Sequence, residues 1–189
     1  RIFLNLGTHA AVPATPGLRE SGPMTNIEIL ELARLPEHLI VIGGGYVGLE
    51  FAQAYRRFGS RITILQRASH LLGNEDPDIS GELERILVAE RVEVITRAEI
   101  VHMTGQSGAE VSVTVRTPEG EKVVTGTDIL VATGRVPNTA GIGLQLAGVE
   151  LNPGGWLRVN ERLETTAPGV WAIGECAGSP QFTHASLDD

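Results

Sequence analysis

A glycine-rich turn between a buried strand and a helix constrains this chain more than any other feature. The apolar run 39–42 leads directly into Gly43-Gly44-Gly45-Tyr46-Val47-Gly48, and apolar residues at helical spacing follow at once. In a strand–turn–helix setting, Gly-x-Gly-x-x-Gly is typical of a dinucleotide-binding turn. Gly43 permits the tight turn, Gly45 leaves room for a pyrophosphate, and Gly48 lets the helix pack closely on the strand. The phosphates are then expected at the positive end of the helix.

The alternative interpretation is a glycine-rich turn that binds nothing. It is disfavoured because a second strand pattern, 62–65, follows about 20 residues after the turn, as the dinucleotide-binding fingerprint requires.

Composition and charge exclude several classes of protein. The 189 residues are 42% hydrophobic and 20% charged, as in an ordinary globular protein. The net charge of −8 argues against a nucleic-acid-binding surface, which would be basic. No apolar run approaches the roughly 20 residues of a membrane span, so no membrane partner is expected. The single cysteine, Cys176, is typical of a reducing, cytoplasmic setting and is interpreted as a small packed side chain.

The order of patterns along the chain predicts an α/β fold. Strands are expected over 1–7, 39–42, 62–65, 92–95, 128–132 and 170–173, and helices over 25–35, over 47–57 and from Asp76-Pro77 onward. Between 99 and 125, three alternating runs separated by glycine-containing turns predict an antiparallel meander. The sequence therefore predicts a Rossmann-like domain with a parallel sheet, flanking helices and a three-stranded antiparallel meander that covers one face of the sheet.

Four stretches of the chain resemble the central portion of the FAD-dependent pyridine nucleotide-disulfide oxidoreductases, the family of glutathione, dihydrolipoamide and mercuric reductases. They are Leu6-Gly7 with 13–17, Gly43 to Glu50, Ala132-Thr133-Gly134-Arg135-Val136-Pro137-Asn138, and Gly174-Glu175 through Gln181-Phe182-Thr183-His184. The likeness covers essentially the whole chain, and the last stretch resembles the mercuric-reductase-like branch. It implies an FAD/NAD(P)-binding fold of three parts: a remnant of the FAD domain with its linker over 1–24, an NAD(P)-binding domain over 25–128, and a truncated return segment into the FAD domain over 129–189.

The resemblance implies roles around the nicotinamide. The three glycines of the turn match the pyrophosphate-binding positions of the family. Tyr46 matches an aromatic residue that can cover the nicotinamide pocket, and Val47 and Gly134 match positions that line it with backbone. Glu50 matches a helix carboxylate near the carboxamide, and the alternative for Glu50 is a solvated helix residue.

Further roles are implied on the flavin side. Gly174 and Glu175 match a segment that touches the ribityl chain and pyrophosphate of FAD, although the family usually has aspartate where this chain has Glu175. Arg135 and Asn138 are expected to order the return of the chain to the FAD domain. No catalytic residue and no metal site is expected within this chain.

The choice between NAD(H) and NADP(H) depends on the residues that directly follow the strand predicted over 62–65. NAD-specific proteins place Asp or Glu there to bind the ribose hydroxyls, but this chain has Gln66, which does not repel a 2′-phosphate. Arg67 matches the first of two arginines with which family members bind that phosphate, and the second position is Gly73. Arg67 is alternatively a solvated surface residue. The sequence favours NADP(H) over NAD(H), with His70 as a weak additional contact.

Both ends of the chain lie inside predicted secondary-structure elements, so we expect the chain to be a piece of a longer polypeptide. The paired redox cysteines of the family, the first FAD fingerprint and the C-terminal dimerisation domain would lie outside it. The expected function is to hold NAD(P)H for hydride transfer to FAD and onward to a disulfide or another acceptor, in a full-length homodimer. The fragment alone is expected to be inactive. The alternatives are a flavoprotein without the redox dithiol, of the oxidase or ferredoxin-reductase type, and a non-catalytic dinucleotide-binding module.

Overall fold

A computed structural model describes all residues, 1–189. The strands are β1 (Ile2–Leu4), β2 (Thr8–Ala10), β3 (His38–Ile42), β4 (Arg61–Leu65), β5 (Glu93–Ile95), β6 (Glu99–Gly105), β7 (Val111–Thr117), β8 (Gly120–Gly126), β9 (Asp128–Val131), β10 (Arg135–Pro137) and β11 (Val170–Ala172). The α-helices are α1 (Tyr46–Phe58), α2 (Pro77–Ala89) and α3 (Thr183–Asp188), and two 3₁₀ turns cover Leu144–Ala147 and Glu175–Ala177. None of the helices has the length and apolar character needed to cross a bilayer.

The contacts divide the chain into two compact units. The larger unit is Ala10–Gly134, and the smaller unit combines Arg1–His9 with Arg135–Asp189. The boundaries expected from the sequence fall after residues 24 and 128 instead. The difference at the first boundary has a physical cause, because the connector before residue 24 packs on the meander: Leu18 is buried in the same cluster as Met103, whose N–H donates to the Pro16 carbonyl.

The larger unit is built on a four-stranded parallel sheet of order β5-β4-β3-β9. Helices α1 and α2 provide the connections from β3 to β4 and from β4 to β5. Strands β6, β7 and β8 form the antiparallel meander, in which neighbours in sequence pair with one another. The predicted fold class, a parallel sheet with flanking helices and a three-stranded meander, is confirmed.

Strand β3 shows how the sheet separates two cores. Its side chains alternate between the faces, as they do in any β-strand. Leu39 and Val41 contact the helix side, where Leu49 and Ala52 of α1 are buried. On the other face, Ile40 and Ile42 join a cluster with the buried valines of the meander. All five residues of β3 are buried, which explains why the strand reads as a continuous apolar run.

The predicted helix over 25–35 is wrong. The segment forms turns, and its helical hydrogen bonds are limited to a few near 25–31. The Thr25 N–H and hydroxyl both donate to the Glu28 carboxylate, and the first of these hydrogen bonds is one half of a helix capping box. However, Ile27 and Leu30, taken as the buried face, are 58% and 74% exposed, whereas Ile29 is 1% exposed. With one buried anchor, tertiary packing does not support a full helix.

The smaller unit has its own core. Strand β1 pairs in parallel with β11, and β2 pairs with β10. The buried residues of this core are Leu144, Val149, Leu157, Ala167, Ala172 and Cys176. The Cys176 side chain is fully buried, and its sulfur accepts the Leu6 N–H at 3.3 Å. Cys176 is therefore a packed side chain, as predicted.

Candidate functional site

The corner between β3 and α1 depends on two glycines that have no room for a side chain. Gly43 has a φ of +108°, and a Cβ there would lie closer than 3.0 Å to the carbonyl oxygen of Ala132, the residue that follows β9. A Cβ on Gly48 would approach the Gly43 carbonyl oxygen equally closely and would also contact Val41. These close approaches bring the first turn of α1 directly against the carboxyl ends of β3 and β9.

Gly45 differs from both of these glycines because it faces open space. A Cβ at Gly45 would meet no atom within 4 Å, and its backbone has ordinary extended angles, φ −87° and ψ 177°. Gly45 is the N-cap of α1, and no side chain caps the helix. The first turn of a helix leaves N–H groups without carbonyl partners and carries the positive end of the helix dipole. The corner is therefore an open, electropositive cradle built from backbone.

Three residues that were expected near the nicotinamide lie on the first turns of α1. Tyr46 and Val47 are 45% and 41% exposed, and Glu50, one helical turn after Tyr46, is also exposed. The Tyr46 hydroxyl donates a hydrogen bond to the Glu75 carboxylate, from the loop before α2. This hydrogen bond, the largest cause, raises the pKa of the Tyr46 phenol, because the carboxylate stabilises the protonated form.

Gln66, directly after β4, holds the glycine turn in place through hydrogen bonds. The Gln66 carboxamide accepts the Gly44 N–H at 3.1 Å and donates to the His70 carbonyl at 3.1 Å. The Gly44 carbonyl in turn accepts the Leu72 N–H at 2.8 Å. Two hydrogen bonds thus tie the loop after β4 to the glycine turn, and the third holds the loop itself. Arg67, next to Gln66, is exposed and takes part in none of the ion pairs of the structure.

Gly134 lies on the other side of the corner, after β9. Strand β9 pairs directly with β3, and the Ala132 N–H continues this pairing by donating to the Ile42 carbonyl at 2.8 Å. Gly134 is exposed with a φ of +128°, and its carbonyl accepts the Ala11 N–H at 2.9 Å. The structure therefore brings Gly134, the glycine turn and Gln66 to the same edge of one sheet, at the carboxyl ends of its strands.

The flavin-side residues lie in the smaller unit. Glu175 Oε2 accepts hydrogen bonds from the Thr8 hydroxyl and from Arg135 Nε, the latter at 3.2 Å. Gly174 is buried with a φ of +69°, and its N–H donates to the Asp189 carboxylate at 2.6 Å. Arg135 also donates to the Thr8 carbonyl at 3.0 Å, so Arg135 of β10 and Glu175 after β11 both hold β2.

Asn138 likewise makes structural contacts within the smaller unit. Its side chain donates to the Leu6 carbonyl at 2.9 Å and contacts His9 Nδ1 at 2.6 Å. The ring of His184, by contrast, stacks on Phe182 with centroids 5.5 Å apart. Because Cys176 is buried against backbone groups, its sulfur and His184 do not form a catalytic pair.

Sequence reasoning missed two supports of the cradle, Leu71 and Glu75. A Cβ on Gly44 would contact the Leu71 side chain at 2.6 Å, so Leu71 closes the back of the turn. Leu71-Leu72 is an apolar pair in an otherwise polar loop, a signal that could have indicated a buried anchor. Glu75 carries no such signal, because a single carboxylate in a loop before a helix is ordinary.

A parallel sheet with a glycine turn at its carboxyl edge defines an α/β fold of the Rossmann class, which is typical of dinucleotide-binding proteins. Comparison with known families agrees with this class: the whole chain, residues 1–189, matches the family described as pyridine nucleotide-disulphide oxidoreductase. The chain belongs to this family of enzymes, whose members use flavin and pyridine nucleotide.

Curated relatives match almost the entire chain. It is 40% identical over 190 aligned positions to the probable pyridine nucleotide-disulfide oxidoreductase RclA of Escherichia coli K12, covering 100% of this chain and 42% of that protein. It is 37% identical to the mercuric reductase of Streptomyces lividans, covering 95% of this chain and 38% of the relative. The chain thus spans about two-fifths of the length of these relatives.

Solved structures give the same result. The Cu(II) complex of the HOCl-induced flavoprotein disulfide reductase RclA from Escherichia coli matches with a TM-score of 0.89 and 38% identity, covering 100% of this chain and 43% of that one. LpdA from Mycobacterium tuberculosis matches with a TM-score of 0.86 and 29% identity, covering 98% of this chain and 40% of that one. The predicted membership of the flavoprotein disulfide reductase family is confirmed.

Proposed function

We propose that this chain is the NAD(P)H-binding part of a flavoprotein oxidoreductase that passes hydride from NAD(P)H to FAD and onward to a disulfide or another acceptor. The observation that carries the proposal is the uncapped N-terminus of α1 beside the open position Gly45. A coenzyme diphosphate fits such a cradle, because backbone N–H groups and the helix dipole both favour an anion there.

The chain's own residues position the coenzyme rather than react with it. A bound reduced nicotinamide supplies the hydride, which a bound flavin accepts. Gly134 and the exposed side chains of Tyr46 and Val47 would lie on the nicotinamide side of the cradle, with Glu50 one turn further along α1. Glu75 would hold the Tyr46 ring in a fixed orientation through its hydroxyl. Because positioning alone does not complete a redox cycle, we propose that the isolated chain turns nothing over.

Gly174 and Glu175 would contact FAD in the full-length protein. Glu175 uses Oε2 for Thr8 and Arg135, and its other carboxylate oxygen remains for a flavin hydroxyl. The one extra methylene relative to aspartate is compatible with this role, because Arg135 fixes the position of the carboxylate. We further propose that the whole protein is a cytoplasmic homodimer that assembles through a C-terminal domain.

We propose NADPH as the preferred coenzyme. Gln66 carries no charge, and its carboxamide is engaged with Gly44 and His70, so it presents no carboxylate to repel a 2′-phosphate. Arg67 follows directly, is exposed and has no carboxylate partner. An unpaired arginine beside the adenosine end of the site favours an additional phosphate.

The substitution Gly45→Ala tests the cradle directly. The new methyl group meets no atom of the protein, so the fold should be retained, but it would occupy the space where the diphosphate approaches the backbone. We expect affinity for NADPH to fall by at least about tenfold, as when a small number of hydrogen bonds to a charged group is lost. Isothermal titration calorimetry measures the affinity, and circular dichroism checks the fold.

A matched control is Gly81→Ala, a methyl group added at an exposed position of α2 that is also free of neighbours. This variant should bind NADPH like the parent chain. Equal affinity of the Gly45→Ala variant and the parent would contradict the proposed function.

A further inference from the structure

A second arginine lies beside the segment that begins with Arg67. Strands β4 and β5 are neighbours, and their pairing continues beyond their ends: the Gln66 N–H donates to the Ile95 carbonyl at 2.9 Å, and the Ala98 N–H donates to the Gln66 carbonyl at 3.0 Å. The Arg97 N–H donates to the Ala68 carbonyl at 2.9 Å. These bonds fix the backbone of Arg97 against the residue that follows Arg67.

The Arg97 backbone and side chain both have unusual features. Its φ is +51°, a left-handed conformation that costs free energy for a residue with a Cβ. The side chain is exposed and, like that of Arg67, forms none of the ion pairs of the structure. Two unpaired guanidinium groups therefore emerge from adjacent segments at one edge of the sheet.

Arg97 also lines a cleft of about 370 Å³ that extends along β5, from Glu93 to Arg97, and across to the β7–β8 turn. Ser69 and Lys122 line the same cleft, as do the carboxylates Glu93 and Glu119. Glu93 is engaged, because the Thr63 hydroxyl donates to it at 2.8 Å. The pKa of Glu119 is lowered, chiefly by its hydrogen bond with Thr117 and to a smaller extent by the charges of Arg97 and Lys122.

The order of the strands indicates which end of a bound dinucleotide would lie nearest to Arg97. The glycine turn follows β3, Gly134 follows β9 on one side, and Gln66 and Arg97 follow β4 and β5 on the other. A dinucleotide lying along the carboxyl edge with its nicotinamide near Gly134 extends its adenosine ribose toward β4 and β5. Position Gly73, where the second phosphate-binding arginine was expected, carries no charge.

We propose that Arg97 is a specificity-determining residue that binds the 2′-phosphate of NADPH together with Arg67. This inference rests on the proposed function. Arg97 supplies, from the segment after β5, the second positive charge that the loop after β4 lacks, and its backbone hydrogen bond to Ala68 keeps it beside the segment that holds Arg67. NADH, which has no 2′-phosphate, gains nothing from either arginine.

The test compares Arg97→Gly with Arg91→Gly in the 189-residue chain. Arg91 is a close match, because it is exposed, lies just before β5, has a φ of +65° and is also outside the ion pairs. Glycine suits the left-handed conformation at both positions, so both variants should fold. We expect Arg97→Gly to weaken NADPH binding by about tenfold, as for one charge-assisted hydrogen bond, and to change NADH binding by less than about twofold.

Titration calorimetry of both coenzymes with Arg97→Gly, Arg91→Gly and Arg67→Ala separates the outcomes. Selective loss of NADPH affinity with Arg97→Gly and Arg67→Ala, but not with Arg91→Gly, supports the inference. Loss with Arg67→Ala alone overturns the role of Arg97 and leaves the proposed coenzyme preference intact. Equal losses of NADPH affinity with Arg97→Gly and Arg91→Gly indicate a general charge effect and also overturn the role of Arg97. If no variant alters NADPH binding, the preference for NADPH fails together with the inference.

Discussion

At the scale of single residues, the three glycines of the motif Gly-x-Gly-x-x-Gly differ in what the protein's own structure requires of them. Gly43 needs its left-handed backbone, Gly48 needs the absence of a Cβ, and Gly45 has no steric requirement within the protein. The first two are therefore explained by folding alone. Neither packing nor backbone conformation requires a glycine at position 45, and the proposed coenzyme diphosphate supplies a reason for it.

The substitution Gly48→Ala tests the folding part of this distinction. Its methyl group would press on the Gly43 carbonyl and on Val41, so α1 would have to move away from the sheet. We expect the free energy of unfolding to fall by about 1–3 kcal/mol, the usual range for overpacking. Urea denaturation measures this change. A Gly48→Ala variant as stable as the parent would show that the helix shifts freely and that the close packing is not required.

Sequence reasoning works well for residues whose local backbone dictates their identity. Gly59 is an example: a glycine after a helical run is typical of a left-handed helix end, and Gly59 ends α1 in that conformation and donates to the Tyr55 carbonyl. Contacts across the loop after β4, such as Gln66 with Gly44 and Tyr46 with Glu75, could not be predicted. They join residues 22 and 29 positions apart in a segment without periodicity, where no local rule fixes which side chains meet.

At the scale of elements, periodicity identified the sheet and the meander because burial there is continuous or strictly alternating. Strand β7 alternates Val111, Val113 and Val115 toward the core, and β3 is buried at every position. Asp76-Pro77 begins α2 as predicted, although the Asp76 side chain makes no capping hydrogen bond. The prediction of a helix over 25–35 is wrong because the apolar residues of this segment have helical spacing without a surface to bury them.

A hydrogen-bonded chain of side chains crosses the neighbouring strands β3, β4 and β5 and predicts a pH dependence. His38 Nε2 contacts the Thr63 hydroxyl at 2.8 Å, and that hydroxyl donates to Glu93 at 2.8 Å, so His38 is the donor to Thr63. Burial, and to a smaller extent the charge of Arg61, lowers the pKa of His38 below its ordinary value of 6.5. The folded state therefore holds this histidine neutral in a range where the unfolded chain protonates it.

We expect the contribution of His38 to stability to be complete above pH 6.5 and to be lost as the pH falls through its lower folded-state pKa. The variant His38→Gln removes the titrating group and should unfold with a weaker dependence on pH in this range. Urea denaturation at a series of pH values for both proteins measures the difference. Parallel curves for the parent and the variant would rule out a lowered pKa at His38.

At the scale of the whole molecule, the chain combines a unit built on a four-stranded parallel sheet with a smaller unit that joins both ends of the sequence. The family and the fold class could be predicted because their motifs lie in short stretches. The resemblance places both ends of the chain in one FAD domain, but the boundaries of the two units could not be predicted, since they depend on long-range pairings such as that of Leu18 with Met103. Sequence patterns describe neighbours along the chain and do not report such pairings.

The 189-residue chain should bind NADPH without catalysing its oxidation. The cradle, Gln66 and Arg67 all belong to the larger unit, so binding needs nothing else, whereas the chain spans about two-fifths of its relatives. Calorimetry with NADPH and an absorbance assay of its oxidation, with and without added FAD, measure both properties. Steady oxidation by the purified chain would contradict the assignment of a purely positioning role.

The double engagement of the Gln66 carboxamide has a consequence for redesign of the protein. Exchanging this residue for glutamate is the obvious way to convert the chain to NADH, but the same amide holds the glycine turn through Gly44 and the following loop through His70. A carboxylate keeps the first interaction and loses the second, because it has no hydrogen to donate. Selectivity and cradle geometry are therefore coupled through one side chain, and engineering of the first requires a compensating change in the loop 67–72.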